Sequence, residues 1–369
     1  MKNENELSLL SAKLESHLKG RARNIQDSIA QINRTGSLLD DYIKPVRELE
    51  FSTPNDVIMS FNYYDDVNGE MVNKRADLNL HPHAVTQIAE KFGVPAGYLR
   101  DRTFGESWER NLGAHIMQKH ADNTARERVL IRSIEGQVRG FLTDKYRRLN
   151  SMEIFLAFLM AAQATKSVLV DAHAGETKGF LEVINPNIVE FDTPLNGRNY
   201  ACIGARIRNS DFGDGKLELY LFALMVQCMN GIVGESKLAE RHLGGRIPDD
   251  IEISEETYKK DTAAKASLVT DVMKQIYTPD VQNGLISKIQ GASATRINIV
   301  KEVEKLPKIG LTIDESKTVG KLLMENDPAN GLAGEPTMWK LVQGLTAMAR
   351  DAEPERKRSL ELIASGMLI

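Results

Sequence analysis

Apolar residues recur at helical spacing near the N-terminus, where Leu7, Leu10, Leu14 and Leu18 are followed by Ile25, Ile29 and Ile32. That period predicts one helix, or two meeting near Gly20, broken at Thr35-Gly36. Its high polarity elsewhere reads as an N-terminal helical arm over residues 1–40 that orders on a partner. From Ile43 to Glu70 the pattern becomes that of short strands, turned at Val67-Asn68-Gly69. Pro82 then suits a helix start, Gly93-Val94-Pro95 breaks that helix, and a second begins near Pro95. Ala89, Gly93, Val94 and Leu99 have the spacing of a helix-turn-helix and equally of an ordinary helical corner. The second helix offers few side chains able to read base edges, mainly Arg100 and Arg102. A further helix is predicted over residues 106–120.

The stretch Arg126–Asn150 reads as a β-hairpin, with Glu135-Gly136 as a two-residue loop. Strict alternation places Ile134 opposite Gln137, Arg132 opposite Arg139, Leu130 opposite Phe141 and Arg128 opposite Thr143. Val129, Ile131, Val138 and Leu142 then form the core face. The other face carries Phe141 and the like-charge pair Arg132/Arg139, which costs stability unless an anion relieves it. Lys145, Tyr146, Arg147 and Arg148 continue the basic and aromatic pattern.

Behind the hairpin, residues 151–165 are apolar around most of a helix, so the helix is expected to be buried across the hairpin's core face, N-capped by Ser151. Strand-like runs at Ser167–Asp171, Gly179–Asn185, Asn199–Arg208 and Lys216–Phe222 are joined by short loops, which favours antiparallel pairing. Asn230-Gly231 is expected to be a turn. From Ser254 onward the pattern is almost wholly helical. The expected fold is α+β: an antiparallel sheet with packed helices in a core domain of residues 41–250, containing the hairpin at 126–149, then a helical C-terminal domain over 251–369.

Charge narrows the function. The net charge is −4, so any polyanion must be held by a local basic strip. Arg126–Arg148 is such a strip, with seven basic residues opposed by Glu127, Glu135 and Asp144. Lys237, Arg241, His242 and Arg246 form a second basic cluster. Cys202 and Cys228 read as free buried thiols. No membrane-spanning run and no signal-peptide pattern is present, so a cytoplasmic location in a bacterial host is expected. His81 and His83 have no third ligand near them, and phosphate-loop, dinucleotide-binding, zinc and serine-hydrolase motifs are absent. No cofactor or metal is therefore expected. Asp214, Lys216 and Glu218 share a strand face and sustain one enzymatic alternative, a metal-dependent nuclease.

Three stretches resemble a family of phage- and plasmid-associated proteins known as domain of unknown function 932. They are VLIRSIEGQVRGFLTDKYRRLN, ALMVQCMNGIVG followed by ERHLGG, and TMWKLVQGLTAMARD, together covering roughly residues 75–365. The resemblance implies a mobile-element protein and carries no established activity. The combined expectation is a non-enzymatic protein that binds single-stranded nucleic acid, DNA favoured, as a homo-oligomer annealing strands without ATP. Its contacts would be Arg128, Arg132, Arg139, Phe141, Lys145, Tyr146, Arg147, Arg148, Arg241, His242 and Arg246. An alternative is a non-catalytic protein-interaction scaffold.

Overall fold

A computed structural model describes residues 2–124, 127–242 and 253–368. Its first unit is a six-stranded sheet built around the expected hairpin, β5 (Arg128–Ile134) and β6 (Gln137–Thr143). Preceding strands flank it: β1 (Leu39–Pro45), β2 (Glu50–Ser52), β3 (Ile58–Val67) and β4 (Glu70–Leu80). The order is β1-β5-β6-β4-β3-β2; all neighbours are antiparallel except β4 and β6, which run parallel over a short register. Asn68 and Gly69, both at positive φ, turn β3 into β4 as a tight hairpin requires. Three helices cover one face: α2 (Pro82–Phe92), α3 (Ala96–Phe104) and α4 (Ser107–Asn123). Val85, Ile88, Phe92, Leu99 and Met117 pack there on Val129, Ile131, Val138 and Phe141. Pro82 opens α2, and Gly93 closes it at φ 66, a left-handed position that suits glycine.

The second unit is an antiparallel sheet in the order β11-β10-β9-β8-β7. Its strands are β7 (Val168–Ala174), β8 (Lys178–Thr193), β9 (Gly197–Ser210), β10 (Leu217–Met225) and β11 (Asn230–Glu240). One face shares a core with α5 (Ser151–Ala164) and with the C-terminal helices. Those helices are α6 (Glu255–Ile276), α7 (Pro279–Ala294), α8 (Ile299–Val303), α9 (Ile313–Glu325), α10 (Met338–Ala349) and α11 (Pro354–Ser365). Phe155, Phe158, Ile207, Leu219, Trp339 and Leu345 sit in this core. The other face receives the N-terminal helix α1 (Lys2–Ser37), whose Leu14 packs with Ile184, Tyr200, Cys202 and Phe222. Arg21 pairs with Asp171 at 2.6 Å, and Arg34 reaches Glu135 in the hairpin loop at 2.6 Å, so α1 ties the two sheets together.

The architecture is α+β, with antiparallel and mixed sheets, packed helices and a helical C-terminal region. Among the described residues no helix is long and apolar enough to cross a membrane. Both cysteines are free and buried, and burial pushes the thiols up to about 12 for Cys202 and about 11 for Cys228.

Three local expectations are corrected. Helix α5 lies on the second sheet and leaves Leu156 and Met160 exposed, while α2 and α4 cover the hairpin's core face. Ser151 is inside α5, and its backbone N–H donates to the Asp211 carboxylate at 2.7 Å, so a side chain distant in sequence serves this helix end. The turn before β11 lies at residues 226–229 with Met229 at φ 59. Asn230 and Gly231 already belong to the strand, paired with Met225 and Leu224 of β10, and the Asn230 side-chain amide donates inward to Gln343 Oε1 at 2.8 Å.

Candidate nucleic-acid interface

The hairpin forms where its pattern predicts, with Glu135 and Gly136 in the loop at φ 49 and 77. Its register differs. Ile134 pairs with Gln137 and Ser133 with Val138, but Arg132 then pairs with Gly140, leaving Arg139 as the extra residue of a β-bulge. Beyond the bulge every side chain of β6 changes face. Phe141 therefore turns into the core beside Phe92, and Arg132 and Arg139 do not oppose each other.

Arg132 is fully buried, and each of its three nitrogens donates to a group from another part of the chain. Its Nε donates to Asp41 Oδ1 at 2.7 Å and its Nη2 to Asp41 Oδ2 at 3.3 Å. Nη1 donates to the Asp211 carbonyl at 2.7 Å, and Nη2 also reaches Asn150 Oδ1 at 2.7 Å. A guanidinium satisfied this way joins the two sheets and is out of reach of a phosphate.

The residues after the hairpin are also turned inward. Tyr146 is buried, stacks on His242 at 5.0 Å between ring centroids, and donates to the Ser210 carbonyl at 3.3 Å. Arg147 grips Asp261 through Nε at 2.7 Å and Nη2 at 2.5 Å, with Glu240 at 3.5 Å. Arg148 is buried against Glu255 and Asp41, its guanidinium 4.5 Å from the Tyr258 ring centroid. His242 is buried, with Nδ1 2.9 Å from the Arg147 carbonyl and Nε2 3.0 Å from Asn209 Oδ1. Burial, aided by the Arg132 and Arg147 charges, lowers its pKa to about 4 against the pull of the Arg147 carbonyl. Arg128 and Lys145 are half-buried and each has a partner. Arg139 is half-buried and donates to the Glu176 carbonyl at 3.2 Å, and Arg241 is exposed. Arg246 lies outside the described residues. The expected interface is therefore mostly an internal seam, from which Arg139 and Arg241 still reach the surface.

The expected shared strand face of Asp214, Lys216 and Glu218 does not form, because β10 begins at Leu217. Asp214 is held by Thr177 at 2.7 Å and Lys178 at 3.2 Å, whereas Glu218 sits on β10 beside Arg208. No group of metal-ligating side chains forms among the described residues.

A different surface combines aromatic and cationic groups. At the corner of α3 and α4, Tyr98 is 44% exposed, Phe104 48% and Trp108 60%. The Arg102 guanidinium lies 5.2 Å from the Tyr98 ring centroid and 5.4 Å from that of Trp108, bridging the two rings. Glu109, reaching back to cap α4, pairs with Arg102 and holds it in place. Arg100 is exposed but, two residues from both Tyr98 and Arg102 on α3, projects from another side of that helix, and Arg110 donates to the Gly105 carbonyl at the foot of the ridge. The signal in the sequence is the run YLRDRTFGESWER, in which three aromatics are interspersed with three arginines. Models of known protein families, curated proteins and solved structures yield no match to this chain.

Proposed function

We propose that this chain is a non-enzymatic nucleic-acid-binding protein that takes single strands across the Tyr98–Arg102–Trp108 ridge. The carrying observation is the exposure of Trp108 and Tyr98 with an arginine fixed between them. Exposed rings offer stacking faces to unpaired bases, and every base has such a face. Arg100 on another side of α3, and Arg139 and Arg241 elsewhere, are cations able to meet the phosphates of a strand that continues past the ridge. Annealing of phage or plasmid strands without ATP is the sharpest form of this reading, and the family resemblance supplies its context.

The test uses fluorescence anisotropy of a labelled oligothymidine over a salt series. Trp108 is exposed and Trp339 is buried, so quenching of the tryptophan emission reports contact at the ridge. Binding that weakens with salt and quenches Trp108 is expected. Absence of binding at low salt overturns the proposal.

A further inference from the structure

The first sheet curls until strands far apart in its order face each other. Among the described residues strand β1 pairs with β5 alone and lies at one edge; β3 lies beyond β5, β6 and β4. Yet the Tyr42 ring on β1 meets Phe61 and Tyr63 on β3, each at 5.1 Å between centroids. Between the strands runs a groove of about 480 Å³ lined by residues 40–44 and 63–65. No ladder joins β1 to β3 among the described residues.

The direction of the backbone groups follows from the pairing. The Val46 N–H donates to the Glu127 carbonyl, continuing the β1–β5 register by one residue. Hydrogen-bonded pairs alternate in an antiparallel ladder, so Asp40, Tyr42 and Lys44 face β5, and Asp41 and Ile43 turn their N–H and C=O groups outward. On β3, the two-residue loop after Val67 makes Val67/Glu70 a hydrogen-bonded pair, which leaves Asn62, Tyr64 and Asp66 facing away from β4. Among the described residues this side of β3 is covered by β2 at residues 58–60 alone. Among the described residues, two bare strand edges thus border one groove.

We infer that this groove accepts an extended basic peptide segment by strand addition, its backbone bonding to β1 and a lysine or arginine side chain meeting Asp40. Charge selects the occupant. Asp40, Asp41 and Asp65 line the groove with one lysine, Lys44, whose ammonium lies over the Phe61 ring; Asp41 is engaged by Arg132 and Arg148, and Asp65 is met by Lys74 at 2.6 Å, which leaves Asp40 as the carboxylate for an incoming cation. Burial first, and then the neighbouring charges of Asp41 and Asp65, raises the Asp40 carboxyl above its usual range. Tyr64, 67% exposed, supplies an apolar wall for alternate side chains of the guest. Main-chain bonds give such recognition its affinity and the alternating side chains its selectivity.

The experiment titrates the full chain into a fluorescein-labelled nonapeptide alternating lysine with valine, read by anisotropy. Saturable binding is expected, together with none for the glutamate-for-lysine peptide and none for a peptide N-methylated on alternate residues. Ile43→Pro removes an outward N–H while leaving the bonds to β5, so it is expected to weaken binding by about tenfold or more. Asp40→Lys is expected to do the same through charge, and it carries the test with the N-methylated peptide should Ile43→Pro fail to fold. Several results overturn the inference: no binding of the lysine peptide, equal binding of its N-methylated form, or undiminished binding by both variants. A chain dimer that Ile43→Pro dissociates also overturns it, by giving the edge to a second copy.

Discussion

Arg132 and Asp41 meet through two hydrogen bonds, at 2.7 and 3.3 Å, across a strand pair whose members are separated by 91 residues in sequence. Asp41 is the register partner of Arg132 on β1. Because the guanidinium is fully buried, removing one partner strands a charge in a low-dielectric seam. Arg132→Ala and Asp41→Ala are each expected to cost about 3–5 kcal/mol in urea unfolding. The double variant should lose less than the sum, with a coupling of about 1–3 kcal/mol. Additive losses would show that the pair does not act as a unit.

The ridge and the seam respond differently to mutation. Trp108→Ala should weaken oligothymidine binding by about tenfold, in line with about 1–3 kcal/mol per stacked base, and leave the melting curve nearly unchanged. Arg147→Ala should do the reverse, lowering the melting temperature by breaking the Asp261 fork. Measuring affinity and melting on both variants separates the two roles; loss of affinity confined to Arg147→Ala returns the interface to the hairpin.

His242 makes stability depend on pH. Its pKa in the folded chain is lowered to about 4, below the usual 6.5, so the unfolded chain binds more protons between those values. The contribution is fully present above about pH 6.5 and falls as pH drops toward 4, by up to about 3 kcal/mol. Urea midpoints from pH 7 to 4 should decline, and His242→Phe, which keeps a ring against Tyr146, should flatten that decline. An unchanged slope would remove His242 from the account.

Gly204 sits where β8 bulges between Ile184 and Ile188. A Cβ there would lie 1.8 Å from the Val183 carbonyl oxygen, a backbone atom that cannot step aside cheaply. Gly204→Ala is expected to destabilise the chain by more than about 2 kcal/mol, read as a lowered urea midpoint or insoluble expression. Gly97→Ala, with open space around its position, should be nearly neutral.

The hydrophobic period by itself determined the α+β class, the place of the hairpin, the Asn68-Gly69 and Glu135-Gly136 turns and the helical C-terminal third, because these follow from local backbone preference and side-chain spacing. Ser254 caps α6 through its hydroxyl as its position suggests, since a cap is satisfied within one turn. The partners of the hairpin's charges were settled only by the tertiary structure. Asp41, Asp211 and Asp261 lie many residues from Arg132 and Arg147, and nothing in a run of arginines distinguishes a side chain facing solvent from one facing a buried carboxylate. The bulge at Arg139 belongs to the same class: one extra residue, invisible to a period-two pattern, turned Phe141 inward. Tertiary contact likewise left Trp108 and Tyr98 on the outside and brought two strand edges to one groove. Spacing along a chain sets which residues share a face; only packing decides what that face meets.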